Sequence, residues 1–129
     1  MYKLSKRSLK RLDKVNPLLI AILVDGIKDS PYDFGIPLFG GYRTAEEQNA
    51  LYNKKPRVTY KDGYQNMSYH QTGNAFDIYA YVDGKATWNK KYYEPIARHL
   101  QEIAMNRYGI NLTWGGDWVK FKDLPHFQI

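Results

Sequence analysis

The sequence contains no cysteine, which excludes disulfides, thiolate catalysis and cysteine-based zinc or iron–sulfur sites. Any metal site must therefore use histidine, aspartate or glutamate. The longest uninterrupted apolar run is Leu18–Val24, which is far shorter than the roughly 20 residues that a membrane span needs. We expect no stable membrane insertion. Since this run also lies too far into the chain for a signal peptide, we expect synthesis in the cytoplasm without an export signal.

The chain has 129 residues, 43% hydrophobic and 25% charged, which is an ordinary globular composition apart from its 12 tyrosines. This length predicts a single domain over residues 1–129, without a separate wall-binding or other module, and we expect a monomer. The net charge of +6 is compatible with nucleic acid, an anionic membrane surface or a polyanionic cell wall, and it does not choose among them.

Local patterns predict an α+β fold of helices packed on an antiparallel sheet. Capping residues and helical spacing of apolar residues predict four helices, and alternating apolar residues bounded by turn signals predict strands. The polar segment 54–67 has no sustained period and predicts a loop, which we expect to shape or close a cleft. The predicted helices are 5–14, 17–28, 45–53 and 90–108, and the predicted strands are 34–39 (at a sheet edge, because of Pro37), 75–82, 85–87, 111–114 and 126–129.

Two of the three histidines lie near carboxylates. His70 precedes Asp77, and the turn signal at 72–74 allows both side chains to face one point. Asp77 falls on the strand face opposite the apolar residues, so we expect its side chain to face a cleft. Capping of the strand end is an alternative role for this aspartate. Pro125 forbids a regular helix around His126, which leaves a turn that brings Asp123 and His126 to the same cleft. His99, in the middle of a helix, is better explained as a structural histidine.

Two neutral imidazoles and one carboxylate are a ligand set that gives zinc a tetrahedral site with one position left for water, which the metal acidifies. Hydrolysis would then need a free carboxylate as general base, for which Asp123 is the candidate. It would also need a positive group near the developing negative charge. Arg43, held between a double glycine and a helix cap, is the candidate, although a surface ion pair with a neighbouring glutamate is an alternative.

These residues resemble the signatures of a known family, the M15 zinc peptidases. The stretch 68–77 is similar to its Ser-x-His-x-x-Gly-x-Ala-x-Asp motif, and 123–126 is similar to its acid-x-x-His element. Arg43, Thr44 and Gln48 resemble its Arg-Ser/Thr-x-x-x-Gln element. Residues 114–118 resemble the Trp-Gly-Gly-Asp-Trp segment of the phage-type subfamily. The resemblance extends from about Asn16 to the end of the chain.

The resemblance implies one Zn²⁺ ion on His70, Asp77 and His126, with Asp123 as general base. It implies Arg43 and Gln48 as substrate contacts, with Arg43 also at the oxyanion. Two further roles stay open on the sequence. Ser68 either binds substrate or holds its loop, and Asp117 either orients a ligand histidine or holds the Gly-Gly turn.

The same resemblance implies a peptidase of bacterial peptidoglycan. An aspartate as base, where the carboxypeptidase and dipeptidase branches commonly have glutamate, favours the L-alanyl-D-glutamate endopeptidases, typical of phage endolysins that act on the wall after release. A D-alanyl-D-alanine carboxypeptidase is the alternative within the family. A non-enzymatic nucleic-acid-binding module, suggested by the basic N-terminal helix, is a remote one, and we expect no nucleic-acid partner.

Overall fold

A computed structural model describes residues 1–129, and it contains four α-helices and six short β-strands. The helices are α1 (Lys6–Arg11), α2 (Pro17–Gly26), α3 (Ala45–Tyr52) and α4 (Lys90–Tyr108). The strands are β1 (Asp33–Gly35), β2 (Ala75–Asp77), β3 (Tyr79–Val82), β4 (Lys85–Thr87), β5 (Thr113–Trp114) and β6 (His126–Gln128). Single 3-10 turns cover Ile27–Asp29, Tyr69–Thr72 and Gly115–Asp117. None of the helices combines the length and apolar character that crossing a membrane requires.

The helix boundaries follow from local capping chemistry. The Asn16 side chain accepts the Leu18 N–H at 3.0 Å, ahead of Pro17 at the first position of α2. At α3 the predicted capping box of Thr44 and Glu47 is present in both directions. The first helix ends at Arg11 and is therefore shorter than the predicted span 5–14.

The six strands form two three-stranded antiparallel sheets, in the orders β1-β3-β4 and β2-β6-β5. The prediction of one continuous strand over 75–82 is wrong, because the chain changes sheets at Ile78. The Ile78 N–H still donates to the Pro125 carbonyl at 2.9 Å, which continues the pairing of β2 with β6, whereas β3 pairs with β1 and β4 from Tyr79 onwards. The apolar residues of this segment, Phe76, Ile78 and Ala80, are all fully buried as the alternation predicts.

The first strand is also shorter than predicted, and it ends at Gly35. Pro37 has no N–H to donate to a ladder, and its carbonyl instead accepts the Gly40 N–H at 2.9 Å in a turn. The remaining strand β1 lies at the edge of its sheet, as the proline predicts. The turn at 37–41 thereby leaves the sheet and approaches the residues of the candidate site.

One apolar core joins the sheets to the helices. The buried faces of α2 and α4 pack against each other, and Gly26 permits this approach because a β-carbon there would lie 2.8 Å from Leu100. Trp114, Phe76 and Phe127 fill the centre, and Phe76 stacks on Phe127 across β2 and β6. The strands that carry Asp77 and His126 are therefore anchored by fully buried neighbours.

Candidate metal centre and active site

His70, Asp77 and His126 come from three different elements and meet at one point. Asp77 ends β2 and His126 begins β6, and the antiparallel register places these two residues directly opposite each other. His70 lies in the 3-10 turn that precedes β2. That turn ends at Gly73 with a φ of 80°, a left-handed conformation that favours glycine, and it returns the chain so that the His70 ring faces Asp77.

The three ligand atoms form a nearly equilateral triangle. His70 Nε2 lies 3.1 Å from Asp77 Oδ1 and 3.2 Å from His126 Nδ1, and the third side, His126 Nδ1 to Asp77 Oδ1, is 3.2 Å. In tetrahedral zinc sites with bonds of about 2.0–2.1 Å, neighbouring ligand atoms lie about 3.3 Å apart. The triangle therefore has the dimensions of one face of such a site, and these residues form a candidate metal-binding triad.

The hydrogen bonds behind the two histidines fix which nitrogen faces the triangle. His70 Nδ1 lies 2.8 Å from the Gly41 carbonyl, and His126 Nε2 lies 2.8 Å from Gln128 Oε1. Both partners are acceptors, so each outer ring nitrogen carries the hydrogen and each inner nitrogen presents a lone pair. Three acceptors thus converge on one point, and either a metal ion or a proton would stabilise this cluster.

The electrostatics of the triad agree with this need for a positive charge. Burial by itself raises the pKa of the Asp77 carboxyl, but the charges and hydrogen bonds that His70 and His126 supply when they are protonated outweigh burial and hold this pKa well below its usual range. Burial lowers the pKa of His126, whereas its hydrogen bond to Asp77 and the charge of that carboxylate raise it. The net effect is a raised pKa. A proton on His126 therefore competes with a metal ion for the same lone pair.

Arg43 lies beside the triad and is held by three acceptors. Its guanidinium donates to Asp77 Oδ2 at 3.2 Å, to Gln48 Oε1 at 3.0 Å and, through Nε, to the Phe39 carbonyl at 2.7 Å. Desolvation lowers the pKa of Arg43, and the charges of Asp77, Asp123 and Glu47 oppose that shift. Three of its five N–H groups are used, so two remain for a substrate.

A turn of three consecutive carbonyls organises this side of the site. The carbonyl oxygens of residues 39–41 accept, in order, from Nε of Arg43 at 2.7 Å, from the N–H of Asp77 at 2.7 Å and from Nδ1 of His70 at 2.8 Å. Phe39 adopts a φ of 61°, which is unusual for a bulky residue. The turn ties the arginine and two triad residues to one piece of backbone.

Asp123 lies near the triad, on the segment that leads into His126, and its charge interacts with Asp77, His126 and Arg43. Its backbone N–H donates to the Gly115 carbonyl at 3.0 Å, and its carbonyl accepts the His126 N–H at 3.1 Å. A β-carbon on Gly115 would lie 2.3 Å from the Asp123 carbonyl oxygen, so only glycine allows this approach. Burial and the charge of Asp77 raise the pKa of Asp123, while His126, His70 and Arg43 lower it. The net upward shift suits a carboxylate that exchanges protons with a substrate.

The structure also gives the contacts of three other predicted site residues, Gln48, Ser68 and Asp117. Gln48 is fully buried, so it supports Arg43 from behind instead of reaching a substrate. Ser68 Oγ accepts the His70 N–H at 3.2 Å and caps the 3-10 turn, which is the loop-holding alternative. Asp117 contacts no histidine, because its carboxylate pairs with Arg98 at 2.7 and 2.8 Å on the surface.

The groups that orient the two histidines are not among the residues predicted from the sequence. Gln128 had a detectable signal, since residues two apart on a strand share a face and Gln128 stands two after His126. The Gly41 carbonyl gives no signal, because any residue type has a carbonyl and only the tertiary fold aims this one. His99 is structural as predicted: its Nε2 lies 2.7 Å from the Gly26 carbonyl.

We expect Gln128→Ala to weaken metal binding by about 10–100-fold, because the His126 ring loses the acceptor that sets its tautomer. Equilibrium titration against a chelator of known affinity measures this change. Gln65→Ala, in the loop before His70, is the matched control and should bind metal like the wild type. An unchanged affinity in Gln128→Ala would show that the hydrogen bond does not orient the ligand.

Known proteins of one family resemble this chain over most of its length. The model of the phage L-alanyl-D-glutamate peptidase family matches residues 1–127. The L-alanyl-D-glutamate peptidase of Escherichia phage T5 is 34% identical over 117 residues, which are 91% of this chain and 82% of the relative. The peptidoglycan L-alanyl-D-glutamate endopeptidase CwlK of Bacillus subtilis is 31% identical over 115 residues, and the match covers 81% of this chain and 68% of CwlK.

Solved structures show the same fold. The L-Ala D-Glu endopeptidase ChiX of Serratia marcescens superposes with a TM-score of 0.81 at 30% identity, covering 99% of this chain and 90% of ChiX. The vancomycin resistance D,D-pentapeptidase VanY, described in complex with Zn(II), superposes with a TM-score of 0.55 at 17% identity, covering 88% of this chain and 71% of VanY. The VanY match concerns the fold alone.

The fold and the His-Asp-His triad define a peptidase of the M15 type, which confirms the predicted class, a hydrolase with an α+β fold. The chain belongs to the phage L-alanyl-D-glutamate peptidase family.

Proposed function

We propose that this protein is a zinc-dependent endopeptidase that hydrolyses the L-alanyl-D-glutamate bond of peptidoglycan stem peptides. The observation that carries the zinc assignment is the triangle of three inward-facing acceptors with sides of 3.1–3.2 Å. The bond is assigned from the names of the relatives that are 30–34% identical to this chain.

His70, Asp77 and His126 would hold the ion, as two neutral imidazoles and one carboxylate. When bound there, zinc would acidify a water molecule and polarise the scissile carbonyl. The hydrogen bonds to Gly41 and Gln128 keep both rings in the tautomer that this ligand set needs.

The remaining steps belong to Asp123 and Arg43. Asp123 accepts a proton from the attacking water and delivers it to the amide nitrogen of D-glutamate. The hydroxyl of the water thereby adds to the carbonyl carbon of L-alanine, and its proton goes to the leaving amine. The two free N–H groups of Arg43 stabilise the negative charge that develops on the carbonyl oxygen. Gln48 and the Phe39 carbonyl hold the guanidinium in place for that contact.

Digestion of purified peptidoglycan tests this proposal, with the new termini identified by mass spectrometry. We expect new amino-terminal D-glutamate, with L-alanine left on the glycan. Treatment with a chelator should abolish cleavage, and stoichiometric Zn²⁺ should restore it. Release of free D-alanine would instead assign the D-alanyl-D-alanine carboxypeptidase activity, and intact peptidoglycan at full zinc occupancy would contradict the proposal.

We further propose a lytic role at the end of a phage infection, supported by the phage origin of the family and of the T5 relative. The protein would act as a single catalytic domain and a monomer, made in the host cytoplasm and active on the wall after release. Expression together with a membrane-permeabilising factor should lyse the host, and expression without one should not. Lysis in both cultures would contradict this dependence on release, and lysis in neither would contradict the lytic role.

A further inference from the structure

Two large aromatic side chains meet in solvent beside the active site. The rings of Tyr60 and Phe121 lie 5.4 Å apart with a tilt of 49°, although both side chains are mostly exposed, at 68% and 75%. They belong to different segments, the loop 54–67 and the loop that precedes Asp123. Most exposed apolar residues stand alone on a surface, so an exposed aromatic pair that joins two loops is a candidate binding surface.

The Tyr60 side of this pair is tied to the catalytic arginine. Thr59 Oγ1 and the Lys61 carbonyl both accept hydrogen bonds from Gln48 Nε2, at 3.2 and 2.9 Å. The other end of the Gln48 side chain accepts from Arg43 at 3.0 Å. Tyr60 therefore stands between two anchored neighbours, on a turn that is one buried side chain away from the site.

The Phe121 side is tied to the proposed general base. Phe121 lies two residues before Asp123, so their Cα atoms are at most about 7.6 Å apart. Its φ of 55° is a left-handed conformation that bulky residues rarely adopt, and such strain concentrates at functional sites. The aromatic pair thus connects the segment that Gln48 links to Arg43 with the segment that leads into Asp123.

The position of the scissile bond determines what this surface meets. In peptidoglycan, the amino group of L-alanine is joined to the lactyl group of a muramic acid sugar. An extended residue spans about 3.3–3.6 Å, so the sugar begins roughly 7 Å from the L-alanyl carbonyl. A cleft that cuts after L-alanine must therefore accommodate a sugar roughly 7 Å from the scissile carbonyl. This distance is similar to the separation of at most about 7.6 Å between the Cα atoms of Asp123 and Phe121.

We propose that Tyr60 and Phe121 form a subsite for the muramoyl sugar of the substrate. This inference rests on the proposed function. The open faces of two aromatic rings complement the apolar C–H face of a pyranose ring. The part of the stem peptide beyond the scissile bond carries the D-glutamate carboxylate and would instead require cations such as Arg43. Because Gln48 holds the Tyr60 turn, the surface is formed before the substrate binds, which lowers the ordering cost of binding.

The test compares two substrates that share the scissile bond. One is a muramoyl tetrapeptide, and the other is the same tetrapeptide with an N-acetyl group in place of the muramoyl group. We expect the wild type to prefer the muramoyl substrate. In the double variant Tyr60→Ala/Phe121→Ala, kcat/KM for the muramoyl substrate should fall by about five- to tenfold, an effect of the size of one or two aromatic contacts. For the acetyl substrate it should stay unchanged.

Tyr64→Ala and Val119→Ala are the matched controls, since both side chains are exposed and lie in the same two loops. Both controls should keep the wild-type preference for the sugar. Equal losses on both substrates would show a structural role for the pair and overturn the proposal, as would a wild type without any preference. Failure of the wild type to cut either substrate would overturn the proposed function itself, which is a separate outcome. Zinc content and thermal midpoint verify that each variant is folded.

Discussion

Replacing His70 by glutamine is expected to remove bound metal and to reduce peptidoglycan cleavage to the background rate. The side chain of His70 is 2% exposed, and it supplies one corner of the acceptor triangle. Loss of a supporting hydrogen bond costs metal sites about 10–100-fold in affinity, and we expect the loss of a ligand to cost more than that. The zinc content of the purified variant and the initial rate of turbidity loss measure both effects. His126→Gln should behave in the same way.

The stability of the fold provides a second readout of the same substitution. At a free zinc concentration 100 times its Kd, binding to the native state stabilises a protein by about 2.7 kcal/mol. We expect zinc to raise the thermal midpoint of the wild type and to leave that of His70→Gln unchanged.

His99→Gln is the matched control, because His99 is the third histidine of the chain and binds the Gly26 carbonyl away from the triad. It should lose about 1 kcal/mol of stability through that hydrogen bond while keeping zinc and activity. Full zinc occupancy in His70→Gln would show that the metal binds elsewhere.

The second large effect is expected at Asp123. Asp123→Asn keeps the size of the side chain and the two backbone hydrogen bonds to Gly115 and His126, and it removes only the proton acceptor. General acid–base catalysis contributes about 10²–10⁴-fold, so kcat/KM should fall by that factor while the zinc content stays at the wild-type level. Steady-state rates on a purified muropeptide, together with metal analysis, separate the two quantities.

Asp117→Asn is the appropriate comparison for that experiment, since it makes the same chemical change six residues earlier. Asp117 is about half exposed and pairs with Arg98, so the substitution should leave cleavage and zinc binding near the wild-type values. If Asp123→Asn kept more than about one tenth of the activity, a different group would be the proton acceptor. If Asp117→Asn lost activity as well, the segment 114–123 would act through its conformation.

The residue types of the site and most helix ends could be predicted because they depend on local chemistry. Asn16 and Pro17, the Thr44–Glu47 box and Asn89 are capping groups that act within one helical turn, and the structure contains each of them. The ligand set of His70, Asp77 and His126 was predictable for a related reason. Without cysteine, few side chain types can bind a transition metal, and the segments 68–77 and 123–126, which resemble the M15 motifs, contain these three residues.

The strands were predicted less accurately, because pairing partners far apart in sequence decide where a strand ends. The segment 75–82 alternates like one strand, yet Ala75–Asp77 pairs with β6 and Tyr79–Val82 pairs with β1 and β4, so the segment is divided between two sheets. The role of Asp117 was open for the same reason. Its sequence neighbours are tryptophans and glycines, and its actual partner, Arg98, lies 19 residues away.

By itself, the sequence determined the α+β class, the helix caps and the inventory of chemically active groups, since these follow from residue type and short-range spacing. Only the tertiary structure decided how those groups are arranged. The register of β2 against β6 places Asp77 opposite His126, and the carbonyls of residues 39–41 aim at Arg43, Asp77 and His70. The burial of Gln48 and the contact of Tyr60 with Phe121 also arise only when distant segments pack. Backbone carbonyls and strand registers carry no residue-specific signal, so their positions emerge only from the folded chain.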